Sequence, residues 1–240
     1  MAYAERNPTV ESFATPNDSW WQSEWGPVKV NAPRAWDTTT GSSATIVAVV
    51  DTGVDFGQPD LQGAFVSGYD TVNHDSDPTD DDGHGTYTAG IVGARSNNGI
   101  GVAGYCWACS IMPMKGLGTA GSGTLSDAAN AVTWAADHGA RVISMSWGTT
   151  SDSSTLSSAM AYAHSKGAVL VAAAGNYGTT AKVYPAAYPS VIGVAGTDTS
   201  DSLYSWSSYG SWVKVSAPGC NYTTGRNGWY GMFCGTSSAA

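Results

Sequence analysis

Short strand-like runs constrain this chain more than any other feature: Thr45–Val50, Val142–Met145, Val169–Ala173 and Val191–Val194. The first is apolar at consecutive rather than alternate positions. That is the pattern of strands covered on both faces of a parallel sheet. Ile111–Met114 reads as a further short strand. Helical segments lie between the strands. Residues 84–95 are small and Ala-rich, Ser126–His138 opens on Ser126 and sets Ala128, Ala131, Val132 and Ala135 along one face, and Ser154–Lys166 is stopped by Gly167. Strand–helix alternation of this kind predicts an α/β sheet with helices on both sides. The Gly-, Tyr- and Cys-rich stretch from Lys214 predicts an antiparallel ribbon. The first 13 residues fall outside the pattern, and no repeat or linker divides the rest, so the 240 residues predict one large domain.

The charge balance narrows the partners. A net charge of -9 argues against nucleic acid, whose phosphates favour Lys/Arg stripes. Only 12% of residues are charged, and 30 are Gly, with Ser, Thr, Trp and Tyr abundant. A surface solvated by hydroxyls and amides suits a secreted protein. No apolar run approaches the roughly 20 residues of a membrane span. Met1–Asn7 lacks the basic start and apolar stretch of a signal peptide, so secretion would require an N-terminal segment beyond this chain. The 4 cysteines, Cys106, Cys109, Cys220 and Cys234, fit two disulfides in an oxidising compartment, paired Cys106–Cys109 and Cys220–Cys234. Cys106-Trp107-Ala108-Cys109 also has the spacing of zinc or thiol redox motifs, but the other two cysteines lack it and no His stands in register with them.

Three residues carry a chemical reading. Asp51 closes a strand in Val47-Ala48-Val49-Val50-Asp51-Thr52-Gly53, His84 sits in Asp82-Gly83-His84-Gly85-Thr86, and Ser237 lies in Gly235-Thr236-Ser237-Ser238-Ala239-Ala240. Singly, each is ordinary: a turn aspartate, a loop histidine, a turn serine. Together they supply what serine needs to become a nucleophile. The hydroxyl requires a base, and the base requires a carboxylate to hold its tautomer and stabilise the imidazolium. Their chain order, Asp then His then Ser, is one of the known orders for this chemistry. Asn176, in a turn that leaves the Val169–Ala173 strand, supplies an amide able to donate to a developing oxyanion together with the Ser237 N–H. The acidic run Asp80-Asp81-Asp82 offers a metal-site alternative, but three consecutive carboxylates diverge and read as a solvated loop.

These motifs, with Ala14–Asp18, Gly26-Pro27, Ala32–Asp37, Val142–Gly148 and Ala217-Pro218-Gly219, resemble the subtilase family of serine proteases, in particular its thermitase-like branch, over residues 14–240. The resemblance implies a three-layer α/β/α fold around a mainly parallel sheet of about seven strands. It implies a secreted, monomeric serine endopeptidase acting on polypeptides through an acyl-enzyme. Asp51, His84 and Ser237 become the triad and Asn176 the oxyanion donor. Ser144, Met145, Ser146, Trp147 and Gly148 become the strand that pairs with substrate, faced by Ala172, Ala173, Ala174 and Gly175. It also implies structural Ca²⁺, held by the side chains of Asp18, Asp60 and Asn98 and the carbonyls of Arg95, Ile100 and Val102. A weaker second site would use Asp70, Asp75 and Asp77. Hard oxygen ligands from separate loops suit that ion.

Residues 1–13, through Tyr3–Asn7, resemble the last strand of an inhibitory propeptide that acts as intramolecular chaperone, with self-cleavage near Phe13 or Ala14. Tyr87 stands where relatives often carry a second His, and Ser238 where they carry Met. Relatives continue past the serine into a long apolar helix, so the resemblance implies a chain cut at both ends, lacking that helix, and poorly active alone. Two competing readings are weaker. A glycan-binding module using Trp20, Trp21 and Trp25 leaves the ordered triad unexplained. A metal-dependent hydrolase lacks a second suitably spaced His, since His74, His138 and His164 lie in unrelated segments.

Overall fold

The computed structural model describes residues 14–240. The expected propeptide strand and the cleavage point at Phe13 lie outside the described residues.

Seven strands form one sheet: β1 (Ile46–Asp51), β2 (Tyr69–Asp70), β3 (Ser110–Lys115), β4 (Val142–Met145), β5 (Val169–Ala173), β6 (Val191–Thr197) and β7 (Val215–Pro218). Their order is β2-β3-β1-β4-β5-β6-β7, and every neighbouring pair is parallel. The period of two decides which residues face which layer. Ala48 and Val50 of β1 join Ile143, Met145, Leu170 and Ala172 in the main core. There they meet Ala131, Val132 and Ala135 of α4 (Leu125–Asp137) and Leu156, Met160 and Ala163 of α5 (Ser154–Ser165). Val49 points the other way and packs with Ile111 against Ala89 of α3 (His84–Gly93). The result is the expected three-layer arrangement of helix, sheet and helix. Two short helices precede the sheet, α1 (Trp25–Lys29) and α2 (Ala32–Trp36). Here Trp21 and Trp36 pack together with ring centroids 5.7 Å apart.

After β7 the chain forms an antiparallel ribbon, β8 (Cys220–Thr224) with β9 (Tyr230–Cys234), as its composition predicts. The Cys220–Cys234 disulfide joins its open end, and Cys106–Cys109 forms the second bridge, both as expected. The chain then enters α6 (Thr236–Ala239).

In open α/β sheets, sites gather at strand carboxyl ends where the order reverses. Here that point lies between β1, whose successors run out to one edge, and β4, which begins the run to the other. Asp51 ends β1, and Ser146–Gly148 follow β4.

Candidate active site

Close backbone approach brings the end of β1 against the start of α3. Gly53 has φ +100°, and a Cβ on Gly85 would stand 2.0 Å from the Gly53 carbonyl oxygen, so only glycine fits there. His84, the first residue of α3, is thereby set beside Asp51. Its Nδ1 lies 2.7 Å from Asp51 Oδ1. Asp51 is fully buried. Its Oδ1 also accepts from Thr52 N–H (2.8 Å) and its Oδ2 from the Thr88 hydroxyl (3.3 Å). Thr88 was not singled out from sequence; its position one turn after His84 on the same helix was the available signal. Burial alone would push the imidazolium pKa down, but the Asp51 charge and hydrogen bond, with Asp82 and Asp80 beyond, outweigh it and hold His84 above its ordinary 6.5.

Ser237, the second residue of α6, is nearly buried. Its hydroxyl donates to the Ser146 carbonyl at 2.9 Å, and the Ser146 hydroxyl donates back to the Ser237 carbonyl at 3.0 Å. No hydrogen bond joins Ser237 to His84 among the described residues. The aspartate–histidine half of the expected relay is formed, while the serine hydroxyl is turned to a different acceptor.

Asn176 meets α6 from the end of β5. Its Oδ1 accepts from Thr236 N–H (2.8 Å) and the Thr236 hydroxyl (2.9 Å). Asn176 and Ser237 line one pocket of ≈ 190 Å³ with Ser146, Trp147, Gly148, Ala173 and Gly175. Tyr177, Val183 and Thr236 complete it, none of them marked by the sequence. The other four residues expected to line this pocket do not. Met145, Ala172 and Ala174 lie in the core behind it. Ser144 faces the opposite side of the sheet, in an apolar cavity with Val47, Val142 and Val171, where its buried hydroxyl has no partner among the described residues. Ser144 and Met145 lie within β4 and point to its two faces, whereas Ser146, Trp147 and Gly148 follow its end, where the pocket opens.

The expected calcium residues fall into two groups. Asp18 and Asp60 are buried and are joined through the 97–98 turn. Asp18 accepts from Asn97 N–H (2.7 Å), and Asp60 accepts from Asn98 Nδ2 (2.8 Å) and Val102 N–H (2.8 Å). The Ile100 N–H donates to Asn98 Oδ1, and Arg95 N–H to the Asp60 carbonyl. Burial, aided by the Asp18 charge and opposed by the Asn98 and Val102 hydrogen bonds, pushes Asp60 up to about 6. Nearby Glu24 is pushed up to about 8 by burial, with the Asp18 and Asp60 charges adding to it. None of these three carboxylates forms an ion pair among the described residues. Buried carboxylates with no cationic partner are hard oxygen donors that suit a hard cation, although the Asn98 amide here turns its Nδ2 to Asp60 and its oxygen to Ile100 N–H. By contrast, Asp70, Asp75 and Asp77 each accept from backbone N–H groups of their own turns. Among the described residues no three carboxylate, imidazole or thiol groups converge on a common metal position.

The fold and site define a serine-hydrolase class: a parallel α/β/α domain with a buried Asp bonded to a partly exposed His, and a serine at a short helix start beside a pocket that holds Asn176. Residues 42–240 match the family described as Peptidase_S8, the subtilase family, and the chain belongs to that family. It is 49% identical over 227 residues to thermitase of Thermoactinomyces vulgaris, covering 94% of this chain and 81% of that protein. It is 45% identical over 242 residues to a thermophilic serine proteinase of Bacillus sp. (strain AK1), covering 100% of this chain but 60% of that protein's length. Among solved structures, the fold matches a protease of Pseudoalteromonas arctica PAMC 21717 with a TM-score of 0.88 and 33% identity, over 95% of this chain and 84% of the other.

Proposed function

We propose that this chain is the catalytic domain of a secreted serine endopeptidase, with Asp51, His84 and Ser237 as its triad. The observation that carries the proposal is the 2.7 Å Asp51–His84 bond at the strand end beside the pocket that holds Ser237 and Asn176. Membership of the subtilase family and the serine proteases among its relatives support it.

In this reading the Ser237 hydroxyl swings from the Ser146 carbonyl to the free ring nitrogen of His84. His84 takes its proton as the oxygen attacks the scissile carbonyl, and Asp51 stabilises the imidazolium. The oxyanion receives hydrogen bonds from Asn176 Nδ2 and Ser237 N–H. His84 then protonates the leaving amine, and water hydrolyses the acyl-enzyme by the same relay. The 144–148 segment pairs with substrate backbone by β-augmentation, and the Trp147-lined pocket takes the side chain on the acyl side. A fluorophosphonate probe tests the assignment. Labelling at Ser237 that is lost in Ser237→Ala is expected; labelling elsewhere, or labelling that survives Ser237→Ala, sinks it.

Residues 1–13 are assigned as the remnant of a propeptide that chaperones and inhibits the domain. Secretion is supported by the names of relatives, which include a halolysin-like extracellular serine protease of Natrialba magadii and a minor extracellular protease of Bacillus subtilis (strain 168). We also propose that Asp18, Asp60 and Asn98, with the carbonyls of Arg95, Ile100 and Val102, hold Ca²⁺, which would neutralise the buried carboxylates and clamp residues 14–24 to the domain. With free Ca²⁺ at about 100 times Kd, binding adds about 2.7 kcal/mol of stability. Chelation should then lower the melting temperature by roughly 5–10 °C for a domain of this size. Asp60→Asn should remove the response to chelator, and an unchanged melting temperature on chelation would rule the site out. Asp70, Asp75 and Asp77 remain the proposed weaker site, to be read as a second, low-affinity step in a Ca²⁺ titration.

A further inference from the structure

In the acidic run before His84, Asp81 and Asp82 are exposed as a solvated loop would have them, but Asp80 turns inward. Asp80 is 2% exposed. Its Oδ1 accepts from the Thr52 hydroxyl (2.8 Å), Gly83 N–H (2.8 Å) and Asp82 N–H (3.1 Å). Its Oδ2 accepts from Thr86 N–H (3.0 Å) and the Thr86 hydroxyl (2.5 Å). The Thr52 oxygen in turn accepts from Gly85 N–H at 2.9 Å. The residues on either side of His84 are thus tied to Asp80 and Thr52. Thr52, immediately after Asp51, is held on its other side as well. Lys115 stands opposite Asp51 in the β1–β3 register, is 2% exposed, and donates to the Thr52 carbonyl (3.0 Å) while pairing with Asp81 (2.5 Å).

We propose that Asp80 is a positioning residue of the candidate active site, which acts with Thr52 and Lys115 to fix the start of α3 against the end of β1 so that the Asp51–His84 bond is formed before substrate arrives. The inference rests on the triad assignment above and goes beyond it. Asp80 touches neither the nucleophile nor the substrate pocket; it acts through the backbone that carries the imidazole. Hydrogen bonds to a buried ionised carboxylate are shorter and stronger than neutral ones, which suits a rigid clamp. The carboxylate is required because five donors converge on it. An amide at the same place would turn its NH₂ toward donors on one side.

Two substitutions separate positioning from plain stability. Thr52→Val is nearly isosteric but removes the hydroxyl that bridges Asp80 and Gly85 N–H, whereas Thr52→Ser keeps it. Thr52→Val and Asp80→Asn are expected to lower kcat about 10–100-fold with KM nearly unchanged, as displacements of about 1 Å in a catalytic array do. Thr52→Ser should restore most of the rate. The pH profile supplies a readout that stability does not move. The charged groups acting on His84 are Asp51 from β1 and Asp82 and Asp80 from the preceding loop; Arg226 lies beside Gly83. The base must be neutral to act, so activity is lost as pH falls through the His84 pKa. Asp80→Asn removes a negative charge that favours the imidazolium, and Thr52→Val loosens the Asp51 contact. In both variants the acid limb should move to lower pH, and in Thr52→Ser it should stay.

NMR titration of the His84 imidazole follows the same shift without turnover, so it distinguishes failure of this inference from failure of the peptidase reading. A Thr52→Val protein with wild-type kcat and wild-type His84 titration overturns the proposal. So does a loss shared equally by Thr52→Ser and Thr52→Val with a lowered melting temperature and an unmoved titration, since that is a structural role only.

Discussion

Ser237→Ala is expected to lower kcat about 10⁶-fold on a peptide amide while leaving KM near its original value. The magnitude is that known for the nucleophile of subtilisin itself, a member of this family. The loss belongs to kcat because the hydroxyl oxygen makes its new bond only along the reaction. In the ground state it donates to the Ser146 carbonyl and makes no hydrogen bond to His84 among the described residues. The substitution should be mild structurally. Ser146 keeps its own donation to the Ser237 carbonyl, and one lost hydrogen bond costs about 1 kcal/mol. Activity and stability are therefore expected to separate: near-complete loss of turnover and of fluorophosphonate labelling, with a melting temperature shifted by only a few degrees. A variant that still cleaves at more than a percent of the parent rate would move the nucleophile elsewhere. A variant that unfolds would show instead that the reciprocal Ser146–Ser237 pair holds α6 in place.

The sheet was legible in the sequence where its strands are long and covered on both faces. β4 and β5 were expected with the observed limits, and β1, β3 and β6 within a few residues of them. β2, at two residues, is too short to leave a hydrophobic signature, and β7 at the sheet edge has two exposed residues in its four. The start of α4 differs because the capping oxygen is that of Thr124, which accepts from Asp127 N–H, and not that of Ser126 two residues on. Of the candidate site, Asp51, His84, Asn176 and Ser237 can be proposed from the sequence because each chemical type stands in a Gly-punctuated turn after a strand or before a helix. The Ser237 rotamer was not, since a hydroxyl's choice between two acceptors depends on what tertiary packing puts beside it. Nor was Asp80. A run of three carboxylates says nothing about which one turns inward; that is decided by where Thr52, Gly83 and Thr86 place their donors. Which side chains of the 144–148 and 172–175 segments line the pocket depends on where β4 and β5 end, and a run of small apolar residues does not mark that point.

Asn176→Asp is expected to lower kcat at least 10²–10³-fold, about 2.7–4 kcal/mol of transition-state stabilisation, the range known for the same donor in subtilisin. Aspartate discriminates better than leucine here. Thr236 N–H can only donate, so the Asn176 atom that meets it at 2.8 Å is the oxygen, which also receives the Thr236 hydroxyl. The amide is thereby oriented, with Nδ2 on the side of Gly235 and no hydrogen bond of its own among the described residues. Aspartate keeps an oxygen for both Thr236 bonds and so preserves the link between β5 and α6, but it puts a negatively charged acceptor where a donor is needed. Leucine would remove the donor and the link together and confuse the two roles. If Asn176 serves catalysis, the aspartate variant keeps its melting temperature and its KM while kcat collapses. If Asn176 merely anchors the turn before Ser237, the aspartate variant keeps its rate and only leucine loses it. Steady-state kinetics and thermal melts of the two variants side by side decide between an oxyanion donor and a structural bracket.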